Sequence, residues 1–386
     1  MIAVPEILAV TSGQEIPMLH RRHLLKAMAA APAVAALPAW AGTTALKDTP
    51  LKDLAAAKGM RFGTAAGLQN SIRQPEVAAI IARECDLVVP ENELKMYVTH
   101  NTPAGYDFGP GDEILRFCEA RHIAMRGHNL YWAKDQYTPK WLTGYDFGAN
   151  PKATAEKVLR DYIGTVCDHY GDKLVSWDVV NEAVDEKTGV VRDCVVTRVL
   201  GVEGLGLAFT AAREHLPHTQ LVYNDYMNWE AGDEAHRDGV LKLLRWFRDH
   251  KIPVDALGLQ SHMGTDHDLT LGQPKAWKAF LDEVTGMGYG LLITEFDVND
   301  KNVQGDIAAR DAKVAEVAKA YLDVTLDYRQ VKDVLCWGMD DRYSWLQGFA
   351  KREDGKRLRP TPYDDDFRPK PLRQAIAAAL SAAPSR

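Results

Sequence analysis

From about Thr49 onward the chain alternates short apolar runs with longer amphipathic segments. The runs are MRFGTAA (60–66), DLVVPEN (86–92), IAMRGH (123–128), LVSWDVVNE (174–182), QLVYND (220–225), ALGLQSH (256–262), GLLITEFDV (290–298) and VLCWGMDD (334–341). Each is dense in Val, Ile, Leu or aromatic residues, as strands buried on both faces of a parallel sheet must be. Between them lie segments with helical periodicity, such as EVAAIIARECD, KVLRDYIGTVCDHY, GVLKLLRWFRDH and DAKVAEVAKAYLDVTLDY. Regular strand–helix alternation predicts an α/β fold with a parallel sheet. Eight strands predict its closure into a single (β/α)8 TIM barrel spanning residues 50–382. A doubly wound open sheet is the main rival, but no GxGxxG or Walker-type loop follows the first run. The stretch from Lys356 to Pro371 is rich in Pro, Asp, Arg and Lys and reads as a surface segment leading into a last helix, Leu372 to Leu380.

The polar residues sit at the ends of the apolar runs. Run two ends in Glu91-Asn92, run three in His128, run four in Asn181-Glu182, run five in Asn224-Asp225 and run six in Gln260-Ser261-His262. Run seven carries Glu295 and Asp297, and run eight carries Trp337 followed by Asp340 and Asp341. In a parallel barrel all strand carboxyl ends open on one face, so these residues are expected to share one cleft. Amides and carboxylates hydrogen-bond sugar hydroxyls, and tryptophan faces stack on sugar rings. Two carboxylates flanking a glycosidic bond are the apparatus for its hydrolysis. Glu182 and Glu295, on runs four and seven, are expected to face each other across the barrel mouth. The plainer alternative is a buried ion-pair network without turnover.

Composition narrows the partners. The net charge of −7 disfavours a polyanion such as nucleic acid and suits a neutral substrate. The five cysteines (Cys85, Cys118, Cys167, Cys194 and Cys336) show neither CxxC pairs nor metal-ligand spacing, so no metal or other cofactor is expected. A metal-dependent barrel hydrolase using His128 and His262 would need an HxH pair or a carboxylate–histidine set, and neither is present. At the amino end, Arg21-Arg22 precede an apolar Ala-rich stretch that ends in Ala39-Trp40-Ala41. This reads as an N-terminal extension and a cleaved twin-arginine signal over residues 1–42, with Met18 as the start. It predicts a periplasmic or secreted protein without a membrane anchor after cleavage; no interaction helix stands out, so a monomer is expected.

Several of these segments, taken in order, resemble a known family. WDVVNEA (177–183) and ITEFDV (293–298) are similar to the acid/base and nucleophile signatures of glycoside hydrolase family 10, the endo-1,4-β-xylanases. PENELK (90–95), RGHNLYW (126–132), YNDY (223–226), LQSH (259–262) and WGMDDRYSW (337–345) fit the same pattern, and the resemblance covers roughly residues 55–380. It implies a retaining enzyme on β-1,4-xylan or xylo-oligosaccharides, with Glu182 as acid then base and Glu295 as nucleophile, their carboxyls ~5–5.5 Å apart. It further implies that Asn181 holds the sugar 2-hydroxyl and that His262 aims Glu295 with support from Asp297. Glu91, Asn92, Lys95, His128, Trp132 and Gln260 would bind sugar on the non-reducing side. Trp337 and Trp345 would wall the cleft, and Tyr226 would have a supporting role. Asp178 and Arg126 read as structural. A catalytically silent carbohydrate-binding barrel is the competing function.

The chain departs from the family pattern after Trp132, where Ala133-Lys134-Asp135 replaces His-Ser-Gln, and at Met96, where a tryptophan is usual. The Lys134-Asp135 pair would add charge near the cleft and bias it toward acidic substituents on xylan, unless this loop lies clear of the sugar.

Overall fold

The structure, a computed structural model, describes residues 46, 48–265 and 267–386. The expected signal and its Arg21-Arg22 pair lie outside the described residues.

Eight parallel strands form the centre: β1 (Arg61–Ala66), β2 (Leu87–Pro90), β3 (Ala124–Trp132), β4 (Leu174–Asn181), β5 (Gln220–Asp225), β6 (Ala256–Leu259), β7 (Gly290–Val298) and β8 (Val331–Cys336). Each strand pairs with the next, and β1 also pairs with β8 in the register Arg61↔Asp333 to Thr64↔Cys336, which closes the barrel. The seam is reinforced by a bidentate ion pair, Arg61 to Asp333 at 2.7 and 2.8 Å.

Helix α1 (Leu51–Ala56) precedes the first strand. The strands are then followed in turn by α2 (Pro75–Glu84), α3 (Gly109–Glu119), α4 (Pro151–Tyr170), α5 (Glu203–His215), α6 (Glu234–Asp249), α7 (Pro274–Gly286), α8 (Ile307–Leu326) and α9 (Pro371–Ala382). Five of these carry proline in the first two positions, α2, α3, α4, α7 and α9. Proline fits there because its φ suits the first turn and its missing N–H would have had no helical partner. Strand side chains such as Val179, Leu221, Leu257 and Ile293 are fully buried. The RGH sequence of β3 has a packing reason as well: a Cβ on Gly127 would lie 2.1 Å from the ring of buried Trp177 on β4.

β2 stops at Pro90 and β4 at Asn181, short of the expected ends, and three other strands differ more. β3 runs on to Trp132, with a register shift against β4 between His128 and Tyr131. β6 stops at Leu259, and the chain pairs again only at His262–Met263, because Ser261 takes a left-handed backbone (φ 66°). β8 starts earlier and ends at Cys336, so Trp337, Asp340 and Asp341 lie beyond it.

The expected surface segment 356–371 is a correction. Leu358, Thr361, Tyr363 and Lys370 are buried. Lys370 Nζ donates to both Asp341 oxygens (2.9 and 2.8 Å), and Tyr363 Oη donates to Glu84 Oε1 (2.6 Å). Lys356, Arg357, Asp366 and Arg368 do face solvent, but Lys370 and Arg359 are paired inward, with Asp341 and Asp311. Asp341 therefore serves the packing of this tail rather than the cleft.

Candidate active site

The strand ends surround a groove of about 830 Å³ lined by residues from across the barrel mouth, among them Glu91, His128, Asn181, Glu182, Gln260, His262, Glu295, Trp337 and Trp345. Glu182 sits one residue past β4 in a left-handed backbone (φ 56°), a conformation that costs a non-glycine residue about 1–2 kcal/mol. Neighbouring strands hold it there. Its N–H donates to the Asn224 carbonyl (2.8 Å), and Arg192 Nε donates to its own carbonyl (3.1 Å).

A chain of amides joins the two glutamates. Gln260 Nε2 donates to Glu182 Oε1 (3.0 Å) and to Asn181 Oδ1 (3.3 Å). Asn224 Nδ2 donates to Asn181 Oδ1 (2.9 Å) and to Glu295 Oε1 (2.7 Å). Thr294 Oγ1 in turn donates to Asn224 Oδ1 (2.7 Å), which fixes the amide's orientation. Both carboxylates are nearly excluded from solvent.

The second oxygen of Glu295 faces a histidine. His262 Nε2 lies 3.2 Å from Glu295 Oε2, and its Nδ1 lies 2.9 Å from Asp297 Oδ1. Burial alone would lower the pKa of this imidazole. The carboxylates of Asp297 and Glu295 overcome that and push it up to about 10. The ring is therefore charged at neutral pH, with both N–H groups donating. Trp345 Nε1 donates to the other Asp297 oxygen (2.8 Å), which ties a cleft wall into the same network. His128 stands 3.9 Å from Glu295 and is held by Asp178 (2.9 Å), itself paired with the fully buried Arg126 (2.6 Å). The structural reading of Asp178 and Arg126 thus agrees with their placement.

Next to this pair, Asn92 Oδ1 accepts from Lys95 Nζ (3.2 Å) and from Tyr97 Oη (2.7 Å), and Glu91 Oε2 accepts from Asn70 Nδ2 (2.8 Å). Lys95 lies 4.6 Å from the Trp132 ring centre and 5.9 Å from that of Trp337. Burial lowers the Lys95 pKa against the pull of Glu295, Glu91 and Glu182, while burial raises that of Glu91 against its bond from Asn70. Trp132 stacks on Tyr137 at 3.7 Å between ring centres.

Glu182 has a different neighbour. Lys134 Nζ forms an ion pair with Glu182 Oε2 and lies 4.7 Å from the ring centre of Tyr226. Burial pushes the Glu182 carboxyl up, but the Lys134 charge, with hydrogen bonds from Gln260, Lys134 and Trp132, outweighs it and holds the pKa at about 2. Tyr226 Oη donates to Glu186 Oε2 (2.8 Å). Asp135 turns away from the groove: it accepts from the Val195 N–H (2.8 Å) and pairs with Arg198. The loop has not moved clear of the cleft: Lys134, Gln136 and Tyr137 line it, and of the Lys134-Asp135 pair only the lysine faces inward.

The model for glycosyl hydrolase family 10 matches residues 50–379. The chain belongs to that family. An endo-1,4-β-xylanase B of Thermotoga neapolitana is 31% identical over 335 residues, covering 86% of this chain and 91% of the relative. Xylanase 10B from Thermotoga maritima superposes with a TM-score of 0.76 at 30% identity, over 86% of this chain and 98% of that one. Xylanase 10B from Thermotoga petrophila, solved with xylobiose, gives 0.76 at 29%, over 86% and 97%.

All the residues expected in this family 10 cleft line the groove except Asp297, which lies behind His262. Asp340 and Asp341, also expected at the mouth, do not line it; Asp340 accepts from the Tyr343 N–H (3.1 Å). Sequence reasoning passed over Asn70, Tyr97 and Thr294, and it noted Asn224 only as a strand end. Position in YNDY was the one signal that could have singled out Asn224. Among the described residues, no group of three or more His, Cys, Asp or Glu is placed to hold a metal. His128 and His262 each direct a ring nitrogen at a carboxylate instead.

Proposed function

We propose that this chain is a retaining endo-1,4-β-xylanase that hydrolyses internal bonds of xylan or xylo-oligosaccharides through Glu182 and Glu295. The observation that carries this reading is the amide relay Gln260–Asn181–Asn224, which joins the two buried carboxylates inside a tryptophan-walled groove. Glu295 attacks the anomeric carbon while Glu182 gives a proton to the departing oxygen. A water then attacks the glycosyl-enzyme, and Glu182 takes its proton. His262 holds and aims Glu295 through its Nε2. Asn181 is placed to bind the hydroxyl next to the anomeric carbon. Glu91, Asn92, Lys95 and His128 offer polar partners to the sugars on the non-reducing side, with Trp132, Gln260, Trp337 and Trp345 around them. Tyr226 offers a ring on the other side of Glu182.

A silent sugar-binding barrel would not need both carboxylates in one relay. Arg21-Arg22 and the Ala-rich stretch after them support export through the twin-arginine route to the periplasm or beyond, without a membrane anchor. Among the described residues no helix is long and apolar enough to cross a membrane.

The test is incubation with β-1,4-xylan, following reducing ends and, by proton NMR, the anomer formed first. New reducing ends in the β configuration are expected. No release of reducing ends, or an α product, would overturn the assignment.

A further inference from the structure

Among the charged groups of the groove to which the family pattern assigns no task, Lys134 is the one paired with Glu182. It stands in a loop whose neighbours are fixed. The Ala133 N–H donates to the Asn181 carbonyl (2.9 Å), and Asp135 is bound to Val195 and Arg198. The loop thus delivers the ammonium to the carboxylate that must be protonated when the glycosidic bond breaks. The side chain of Lys134 keeps 23% exposure against 9% for that of Glu182, so the lysine is the partner with room to move. Its ammonium also faces the Tyr226 ring, at 4.7 Å from the centre.

We infer that Lys134 is a positioning residue for the acid/base: it holds Glu182 in the base form in the resting enzyme, and a sugar arriving on the leaving-group side opens the pair. The role of Lys134 rests on Glu182 being the acid/base of the proposed reaction. The proton balance is as follows. With Lys134 displaced, Glu182 takes a proton from solvent and gives it to the glycosidic oxygen. The C–O bond breaks with its electron pair going to the leaving sugar, and a Glu295 oxygen bonds to the anomeric carbon. In the second half Glu182 is again a base, the form Lys134 favours, and accepts the proton of the attacking water. Lys134 therefore opposes the first step and assists the second.

Other groups also act on Glu182. Lys95 after β2 and Arg192 after β4 add positive charge. Glu295 on β7, Glu186 after β4 and the Tyr226 hydroxyl after β5 act against the ionised form or are neutral. Of these charged groups only Lys134 forms an ion pair with the carboxylate, beside the neutral donor Gln260, so its removal is expected to dominate the change in charge. The low pKa of Glu182 agrees in direction.

The experiment compares kcat/KM against pH for wild type, Lys134→Met and Lys134→Arg on two substrates. Xylotetraose needs the proton from Glu182. A 2,4-dinitrophenyl β-xylobioside, whose leaving group departs unprotonated, does not. On xylotetraose the alkaline limb of Lys134→Met is expected to move up by at least about one pH unit, the scale of a single adjacent charge. Lys134→Arg should keep the wild-type limb, and on the dinitrophenyl substrate the limbs should coincide. Identical limbs for wild type and Lys134→Met on xylotetraose would overturn the inference, as would equal shifts on both substrates. Lys134→Gln, checked by its melting curve, replaces the Met variant if that one does not fold. Failure of the underlying assignment looks different: Glu182→Ala would then turn over xylotetraose at the wild-type rate.

Discussion

The two glutamates of the groove sit at the ends of one amide relay, yet their surroundings are built on different principles. Glu295 is met by one neutral amide donor, Asn224, and by a histidine whose charge two carboxylates share. Its electrostatics are spread over a network anchored in β5, β7 and the segment after β6. Glu182 is met on one oxygen by the same relay and on the other by a single lysine from a loop. A nucleophile keeps one role and one aim throughout, and a rigid network holds it there. An acid/base must change state twice per turnover, so a partner on a loop with room to move suits it. The comparison shows where this chain holds to the family pattern and where it departs: the strand-borne half keeps it, and the loop-borne half does not.

The largest effect that could break this comparison is expected at Glu295. Glu295→Ala should lower turnover by at least about 10⁴-fold on xylan and on an activated aryl xylobioside alike, as loss of a nucleophile does. Initial rates on both substrates check this. Glu182→Ala should cost about 10²–10⁴-fold on xylan. On the dinitrophenyl substrate it should instead give a rapid burst of phenolate followed by slow turnover. Equal losses on both substrates, without a burst, would erase the distinction between the two residues.

His262→Gln should lower kcat by about 10- to 100-fold, because Glu295 loses its orienting donor. It also changes the pH dependence of stability. The folded-state pKa of His262 is raised from 6.5 to about 10, so its contribution is fully present below pH 6.5 and is lost as pH rises through 10. The melting temperature of the wild type is expected to fall over that window, and the Gln variant should show a flatter profile. The smallest effect is expected outside the groove, at Asp340. Burial, with the nearby Asp341 charge, raises its pKa from 3.8 to about 7 against the Tyr343 N–H bond. Its ionised form is therefore disfavoured in the fold above pH 7. Asp340→Asn should raise the melting temperature by about 1–3 °C at pH 8 and by nothing near pH 4. Xylan turnover should be unchanged, which makes this variant a control for the others.

Much of this was legible in the sequence because it obeys a local period. Strand runs ending in Asn181-Glu182 and in Glu295 announce both a strand and its mouth-facing end, and the barrel follows from counting such runs. Contacts between strands are another matter. Nothing near Thr294 says that its hydroxyl will orient Asn224, because that depends on the register across β5, β6 and β7. The tail was misread for a similar reason. Lys370 and Arg359 look solvated until Asp341 and Asp311, far away in sequence, are placed beside them. Lys134 was visible as a departure, but its target was not, since the direction of a loop side chain is set by the anchoring of Asp135 on the next loop.

The seam between the first and last strands carries a consequence for how the molecule is made. Arg61 and Asp333 are 272 residues apart in sequence, so β1 lacks its second neighbour until nearly the whole chain has been synthesised. At ribosomal speeds that interval is on the order of half a minute. During it, every partial barrel presents two open sheet edges, one of them always β1. Contacts of such long sequence separation are slow to form. The vulnerable period of this protein therefore falls on the nascent chain, while the β1 edge stands without its second neighbour.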